Sequence, residues 1–299
     1  MRSLRHSTPR VALAGLAVAG LLTIGGSASQ AADPFVAGGR STRPLPAAKD
    51  DLARARARGQ ALAAALGLAG VSQRAERLVD AFEHRTYDEV TSVDAAGRAV
   101  AIARFELDGS VAMAVSLGWQ PGGGRAIDGP GAASRAITLA RSAGLSPAGQ
   151  PTVRSSAGAG GWSVTFPRIV GGVPVRGDGI RVALWPDGTF HGLTRTERPL
   201  AAPPARPIDA GAARAAAATI VTATAGRSAT SLGIVSTELA WVAPNDAFGG
   251  ARADAPAAVL RLAWAVHYDA QGALVERVRS IEVWVDAGDG HLLGGDVVE

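Results

Sequence analysis

Arg168-Ile169-Val170-Gly171-Gly172-Val173-Pro174-Val175-Arg176-Gly177-Asp178-Gly179-Ile180-Arg181-Val182 is the stretch on which the reading of the fold turns. It has the pattern of a strand, a kinked turn at Gly171-Gly172 and a second strand. Pro174 has no N–H to give to a ladder, so its strand is expected at a sheet edge or a bulge. An edge strand can accept an extended peptide by strand addition, which makes Gly172, Val173, Pro174, Val175 and Arg176 candidate binding residues. The alternative is a kinked edge that only protects against aggregation.

Outward from this stretch, the end of the chain repeats the pattern. Trp162-x-Val164-x-Phe166 lies eighteen residues before Ile180, and Leu262-x-Trp264-x-Val266 lies nineteen before Ile281. Ile180-Arg181-Val182-Ala183-Leu184 then matches Ile281-Glu282-Val283-Trp284-Val285 face for face. A period near one hundred residues is too long for a solenoid and fits two related small units. Trp284 falls on the Glu282 and Asp286 side of its strand, opposite Ile281, Val283 and Val285. That makes it a candidate exposed or interface aromatic. A second buried face under a neighbouring unit is the competing reading.

The order helix-then-strands occurs three times. Residues 48–123 read as a helix with Leu52, Ala55, Gly59, Leu62 and Leu66 on one face, then a second helical segment carrying Val71, Ala75, Leu78, Val79 and Phe82, then a three-stranded meander. Residues 124–200 read as a helix from Ala132, stopped by Gly144, followed by strands. Residues 201–208 form a proline-rich linker. Residues 209–299 open on an alanine-rich helix capped by Asp209 and return to strands, with Asn245 to Ala257 expected as a long exposed loop. The fold class is α+β.

The first residues are an address. Arg2, Arg5 and Arg10 precede a fourteen-residue apolar run, Val11 to Ile24, and small residues lead to an expected cut after Ala31. The run is too short to cross a bilayer comfortably, and no later stretch is long and apolar enough. Residues 1–31 are therefore expected to be a signal peptide, 32–47 a flexible linker, and the protein secreted, periplasmic or at the cell envelope. Removing three arginines and no acid takes the formal charge from +4 to about +1, which gives no electrostatic case for nucleic acid. With no cysteine, disulfides, thiolate catalysis and cysteine-ligated metals are excluded.

Reactive centres are not found. No histidine pair has metal-ligand spacing on a helix, and Asp286, Asp289 and His291 read as hairpin-turn residues before they read as ion ligands. There is no nucleophile elbow and no phosphate loop. Gly158 to Gly161 leads into a strand, so it cannot serve as a dinucleotide loop. Neither a cofactor nor a metal is expected, and the protein is not expected to be an enzyme.

Gly172-Val173-Pro174-Val175-Arg176-Gly177-Asp178 with Ile180-Arg181-Val182 resembles the G-x-P-V-x-G segment of the N-terminal propeptide domain of thermolysin-like metalloproteases. Leu262-Ala263-Trp264-Ala265-Val266 with Ile281-Glu282-Val283-Trp284-Val285-Asp286-Ala287-Gly288-Asp289-Gly290 resembles the PepSY domain that follows it in those propeptides. The resemblance covers Ala132 to Glu299 and implies tandem cystatin-like units, each a helix packed on an antiparallel sheet. It also implies a role in restraining or chaperoning an extracellular peptidase. The H-E-x-x-H of those proteases is absent from this sequence, so such a role would be exercised in trans. A cell-envelope module for cell-wall glycan or a small apolar ligand is the alternative, and an unrecognised hydrolase comes third.

Overall fold

The computed structural model describes residues 42–68, 70, 72–80, 85–118, 123–155, 161–225, 232–249, 259–270 and 280–298. The expected signal peptide, Val71, Phe82, His84, Trp119, the glycines before Gly161 and residues 250–257 of the expected loop lie outside them. Along the described chain run β1 (Thr42–Leu45), α1 (Lys49–Leu66), β2 (Ser72–Asp80), β3 (Arg85–Val93), β4 (Ala99–Glu106), β5 (Val111–Ser116) and α2 (Gly129–Ser142). Then come β6 (Thr152–Ser155), β7 (Trp162–Val170), β8 (Val173–Leu184), β9 (Phe190–Thr196), α3 (Ala210–Ala225), β10 (Leu232–Val242), β11 (Arg261–Ala270), β12 (Ser280–Asp286) and β13 (Leu292–Val298). The fold is mixed α+β, with a large and mostly antiparallel sheet and few helices.

Local chemistry places the helices. Asp50 and Asp51 sit in the first turn of α1, where the helix dipole favours negative charge. Asp128 caps α2 by accepting from Gly131 N–H at 2.8 Å, and Asp209 caps α3 by accepting from Ala212 N–H at 2.8 Å. Beyond α2 the Leu145 N–H returns to Ala140 O at 2.9 Å, and buried Leu145 supplies the apolar contact of a Schellman stop.

Hydrogen bonding orders one run of strands as β1-β2-β3-β4-β5-β9-β8, with β7 and β6 continuing beyond β8. The inner residues of α1 (Ala55, Leu62, Leu66) and of α2 (Ala132, Ala136, Leu139, Ala140) join one core on the same side of this sheet. The other run, β10-β11-β12-β13, carries α3 on one face through Ala213, Ala217 and Val221 against Val266, Tyr268, Ile281, Val283 and Val285.

Three expectations are corrected here. Ser72–Asp80 is a strand, not a second helix, paired with β3 along its whole length. Ala75, Leu78 and Val79 happen to fall at helical spacing. The long ladder and a cross-strand ion pair, Arg77 Nε to Asp88 Oδ1 at 2.7 Å, decide the conformation instead. Thr42–Leu45, at the end of the expected flexible linker, pairs with β2 as β1. Asn245, at the start of the expected exposed loop, is pinned to β13. Its Nδ2 donates to Gly295 O at 2.8 Å and its Oδ1 accepts from Gly295 N–H at 3.0 Å. The carboxamide thus makes the pair of bonds that an added strand would make at the outer edge of β13.

The two matched segments each pair as antiparallel neighbours, two residues out of the expected correspondence. Trp162 pairs with Leu184, and it is Trp264, not Leu262, that pairs with Val285. The repeat extends to the helix entrances. Ile127 N–H bonds Pro186 O at 2.9 Å and Ile208 N–H bonds Ala287 O at 2.8 Å, each tying the residue before a capping Asp to the turn after the matching strand. Among the described residues no helix is long and apolar enough to cross a membrane.

Candidate functional site

Gly171 and Gly172 form the two-residue turn between β7 and β8, with φ of 58° and 82°. Positive φ at both central residues is the requirement of a type I′ hairpin, which glycine meets at no steric cost. Farther along β8 the pairing jumps from Arg168↔Val175 to Pro167↔Gly179, leaving Arg176, Gly177 and Asp178 out of the ladder as a bulge. Gly179 has φ 135°, and a Cβ there would stand 2.1 Å from Phe166 O, so only glycine fits.

The bulge turns Asp178 inward. Its side chain is 0% exposed and accepts from Arg198 Nε at 2.6 Å, Arg198 N–H at 2.7 Å and Arg168 Nη1 at 3.2 Å. Arg198 Nη2 also donates to Arg176 O at 2.9 Å, and Arg168 Nη1 to Arg198 O at 2.6 Å. A buried carboxylate is tolerated because every strong donor around it is aimed at it. The consequence is a bent strand. The part of β8 after the bulge pairs with β9, and the part before it meets β10 in parallel at Val175↔Trp241.

The edge expectation for Gly172–Arg176 is therefore not met, although the bulge is. Val175 is flanked by β7 on one side and β10 on the other, and it is 3% exposed in a cluster with Trp241 and Leu260. Val173 packs on the same cluster. Strand addition along this stretch would have to displace β10.

What the structure brings together instead is Arg176 and Trp284. Arg176 Nη2 donates to Glu282 Oε2 at 3.0 Å and also pairs with Glu238, while Trp284 Nε1 donates to Glu282 Oε1 at 2.7 Å. The register explains the reach. Glu238, Ala265 and Trp284 stand in one row across β10, β11 and β12, and the methyl of Ala265 leaves room for the arginine to cross. Trp284 is half-buried against Ala240, Val242, Ala263, Ala265 and Leu293, a second apolar face opposite α3. The indole, expected as an exposed or interface aromatic or else as part of a second buried face, rests on an alanine floor with its N–H engaged. Glu238, Glu282, Asp178 and Arg198 were not among the expected binding residues. The one local signal was an Asp between two glycines in the middle of a strand.

Other ionisable groups are held by neighbours. Asp286 accepts from Gly288 N–H at 2.7 Å and pairs with Arg261 Nη2 at 2.7 Å, and Asp289 accepts from His291 N–H at 3.0 Å, so these residues build the turn. His267 Nε2 lies 3.0 Å from Asp269 Oδ1. Hydrogen bonds lower two turn aspartates below the usual carboxylate range. Asp94 is lowered first by the Arg98 N–H, and Asp108 first by the Ser110 N–H. At Asp187 burial pushes the other way, and hydrogen bonds from Thr189, Gly124 and its own N–H together outweigh it. No group of three or more metal-ligating side chains occurs among the described residues. Two adjoining open grooves lie at one end of the larger sheet and share Arg195 and Glu197. One, of about 660 Å³, is lined by Arg85, Glu106 and Asp108, and the other, of about 380 Å³, by Leu145, Ile169 and Ile180.

No known protein family matches this chain, and no curated protein matches it. Among solved structures it is similar to the Bacillus megaterium YpeB C-terminal domain, at 12% identity and a TM-score of 0.47, over 86% of this chain and 99% of that one. It is also similar to an uncharacterized protein from Eubacterium rectale, at 10% identity and a TM-score of 0.38, over 84% of each chain.

Proposed function

We propose that this chain is a secreted, non-catalytic protein-binding module that restrains an extracellular peptidase in trans. The observation that carries the reading is the Arg176–Glu282–Trp284 cluster. It unites the two propeptide-like segments on one surface, with a tryptophan and an arginine over an apolar floor and carboxylates at the rim. Tryptophan and arginine are the side chains that most often dominate binding energy at protein interfaces. The ionisable groups around it are spent on one another, as Asp178 is on Arg168 and Arg198, which suits recognition better than proton transfer. We read the repeated helix-and-sheet layers as tandem cystatin-like units of the PepSY and propeptide kind. The fully buried alanines of α2 and α3 would keep each layer thin and stiff.

The test is capture from culture supernatant by the chain lacking residues 1–31. The expected result is a co-purifying peptidase and slower casein hydrolysis by the supernatant, with both effects weakened by Arg176→Ala combined with Trp284→Ala. Recovery of no peptidase together with unchanged secreted proteolysis overturns the proposal.

A cell-wall glycan is the second reading. It is favoured by the same indole standing beside Glu238 and Glu282, a combination that stacks on a sugar face and bonds its hydroxyls. Retention of the wild-type chain, and not of Trp284→Ala, on purified cell-wall glycan would favour it over the first.

A further inference from the structure

Arg181 departs from the pattern of most other half-buried arginines. Arg77, Arg85, Arg104, Arg168, Arg176 and Arg198 each pair with a carboxylate. Arg181 pairs with none among the described residues, and its Nε donates to Thr165 Oγ1 at 3.3 Å. It stands in the row Thr152, Thr165, Arg181, Thr194 across β6, β7, β8 and β9. Their neighbours Val164, Val182 and Leu193 enter the helix-side core, so this row belongs to the opposite face. The adjacent row on that face is Arg154, Ser163, Ala183, Gly192. Burial first, and then the like charge of Arg154, hold Arg181 below its ordinary pKa.

The arrangement is a cation pair without its anion. Thr165 holds the Nε side of the guanidinium, which leaves the two terminal nitrogens as a fork. A fork of that kind matches two oxygens of a carboxylate or a phosphate. Ala183 and Gly192 keep the neighbouring surface low, and Ser163 and Thr194 add hydroxyls within the same two rows. We propose that Arg181, oriented by Thr165 and seconded by Arg154, is an oxyanion-binding site on the outer face of β6–β9. The ligand is a carboxylate or phosphate group carried by a larger molecule. A bound anion would cancel the repulsion between the two arginines and supply the missing counter-charge. The site is independent of the peptidase reading, since it lies away from Arg176 and Trp284 and is tested with purified protein alone.

The experiment is nitrogen-15 NMR of arginine Nε–Hε groups in the chain lacking residues 1–31. The chain is titrated separately with inorganic phosphate and with a glutamate-rich peptide, with chloride exchanged to hold ionic strength constant. The Arg181 signal, assigned by its loss in Arg181→Gln, is expected to shift saturably. Arg154→Gln, followed at the Arg181 signal, should weaken binding by a few-fold, and Arg181→Lys, which keeps the charge and loses the fork and is followed at the Arg154 Nε–Hε signal, roughly tenfold. Saturation by phosphate alone identifies a phosphate-bearing ligand, and saturation by the peptide alone identifies an acidic protein segment. Linear shifts with both probes, or equal affinity in wild type and Arg181→Lys, overturn the proposal. The lysine variant keeps the test valid if Arg181→Gln fails to fold, and the wild-type signal is then assigned through Thr165→Val.

Discussion

Replacing Asp178 by Ala removes the anion on which the bend of β8 rests. Three hydrogen bonds end on this carboxylate, two from guanidinium groups and one from the backbone N–H of Arg198. Breaking a fully buried ion pair costs about 3–5 kcal/mol. Here the arginines keep some access to water, at 21% for Arg168 and 24% for Arg198, so they recover part of their solvation when the carboxylate is lost. The part-buried backbone N–H of Arg198 loses its acceptor too, and an unsatisfied buried donor costs about 1–3 kcal/mol. The expected loss for Asp178→Ala is therefore roughly 2–4 kcal/mol. Asp178→Asn keeps one acceptor oxygen and should lose about half as much. Urea denaturation at neutral pH measures both, and amide hydrogen exchange at Val175 and Trp241 locates the damage. If the bulge joins the two strand runs, protection at these two residues falls before protection at Val164 or Val266. A loss below about 0.5 kcal/mol for Asp178→Ala, the range of ordinary surface substitutions, would refute the reasoning. So would damage spread evenly over both runs.

Gly179→Ala should be as harmful, because its Cβ would press on the Phe166 carbonyl. The expected outcome is a shift of register in the β7–β8 hairpin, read from lost cross-strand contacts between Arg168 and Val175 by NMR. Tyr268→Phe should be neutral or stabilising by up to about 1 kcal/mol, since it removes a buried hydroxyl that has no partner. Burial raises the Tyr268 phenol, so the unfolded chain ionises first. Stability is complete below about pH 10 and falls as pH rises through the higher folded value, and the Phe variant should lose that part of the alkaline limb in a pH series of denaturation curves. Asn245→Asp keeps the acceptor for the Gly295 N–H and sets a carboxylate oxygen against the Gly295 carbonyl. It should bare the outer edge of β13 and promote association that rises with concentration in size-exclusion chromatography, and elution identical to wild type at every concentration would count against the edge-guard role.

The features legible in the sequence are those written in a few adjacent residues. Alternation at Trp162–Phe166 and Ile281–Val285, the paired glycines at 171 and 172, and the capping aspartate at 209 all specify local geometry, and the ladder follows them. Ser72–Asp80 misleads because its three apolar residues satisfy a helical period as well as a strand. The choice is made by pairing with β1 and β3, which no short window contains. The edge status of Val173–Val175 fails for the same reason. Pro174 does mark an irregular strand, but the neighbour that covers it, β10, lies beyond an intervening helix in sequence. Trp284 was placed on the right side of its strand by alternation alone. Whether that side was exposed or a second buried face was not legible, since it depends on Ala240, Ala263 and Leu293 meeting beneath it. The alternating alanines of Leu262-Ala263-Trp264-Ala265-Val266 were the available sign that this face is built low.

The bulge and the surface cluster are one mechanical unit. Arg176 is the first residue to leave the ladder, its carbonyl is held by Arg198, and Arg198 is held by Asp178. The direction in which Arg176 crosses β10 and β11 to reach Glu282 is thus set by a carboxylate two residues along the chain that never meets solvent. Glu282 in turn fixes the indole of Trp284 through its second oxygen. Removing Asp178 should consequently loosen Arg176 and Trp284 together, although neither touches it. Removing Glu282 should free both side chains and leave the bulge intact. That asymmetry separates a recognition surface positioned by the fold from an ion pair that merely decorates it. In a merely decorative pair, Asp178→Asn would leave the Trp284 indole N–H as protected from exchange as it is in the wild type.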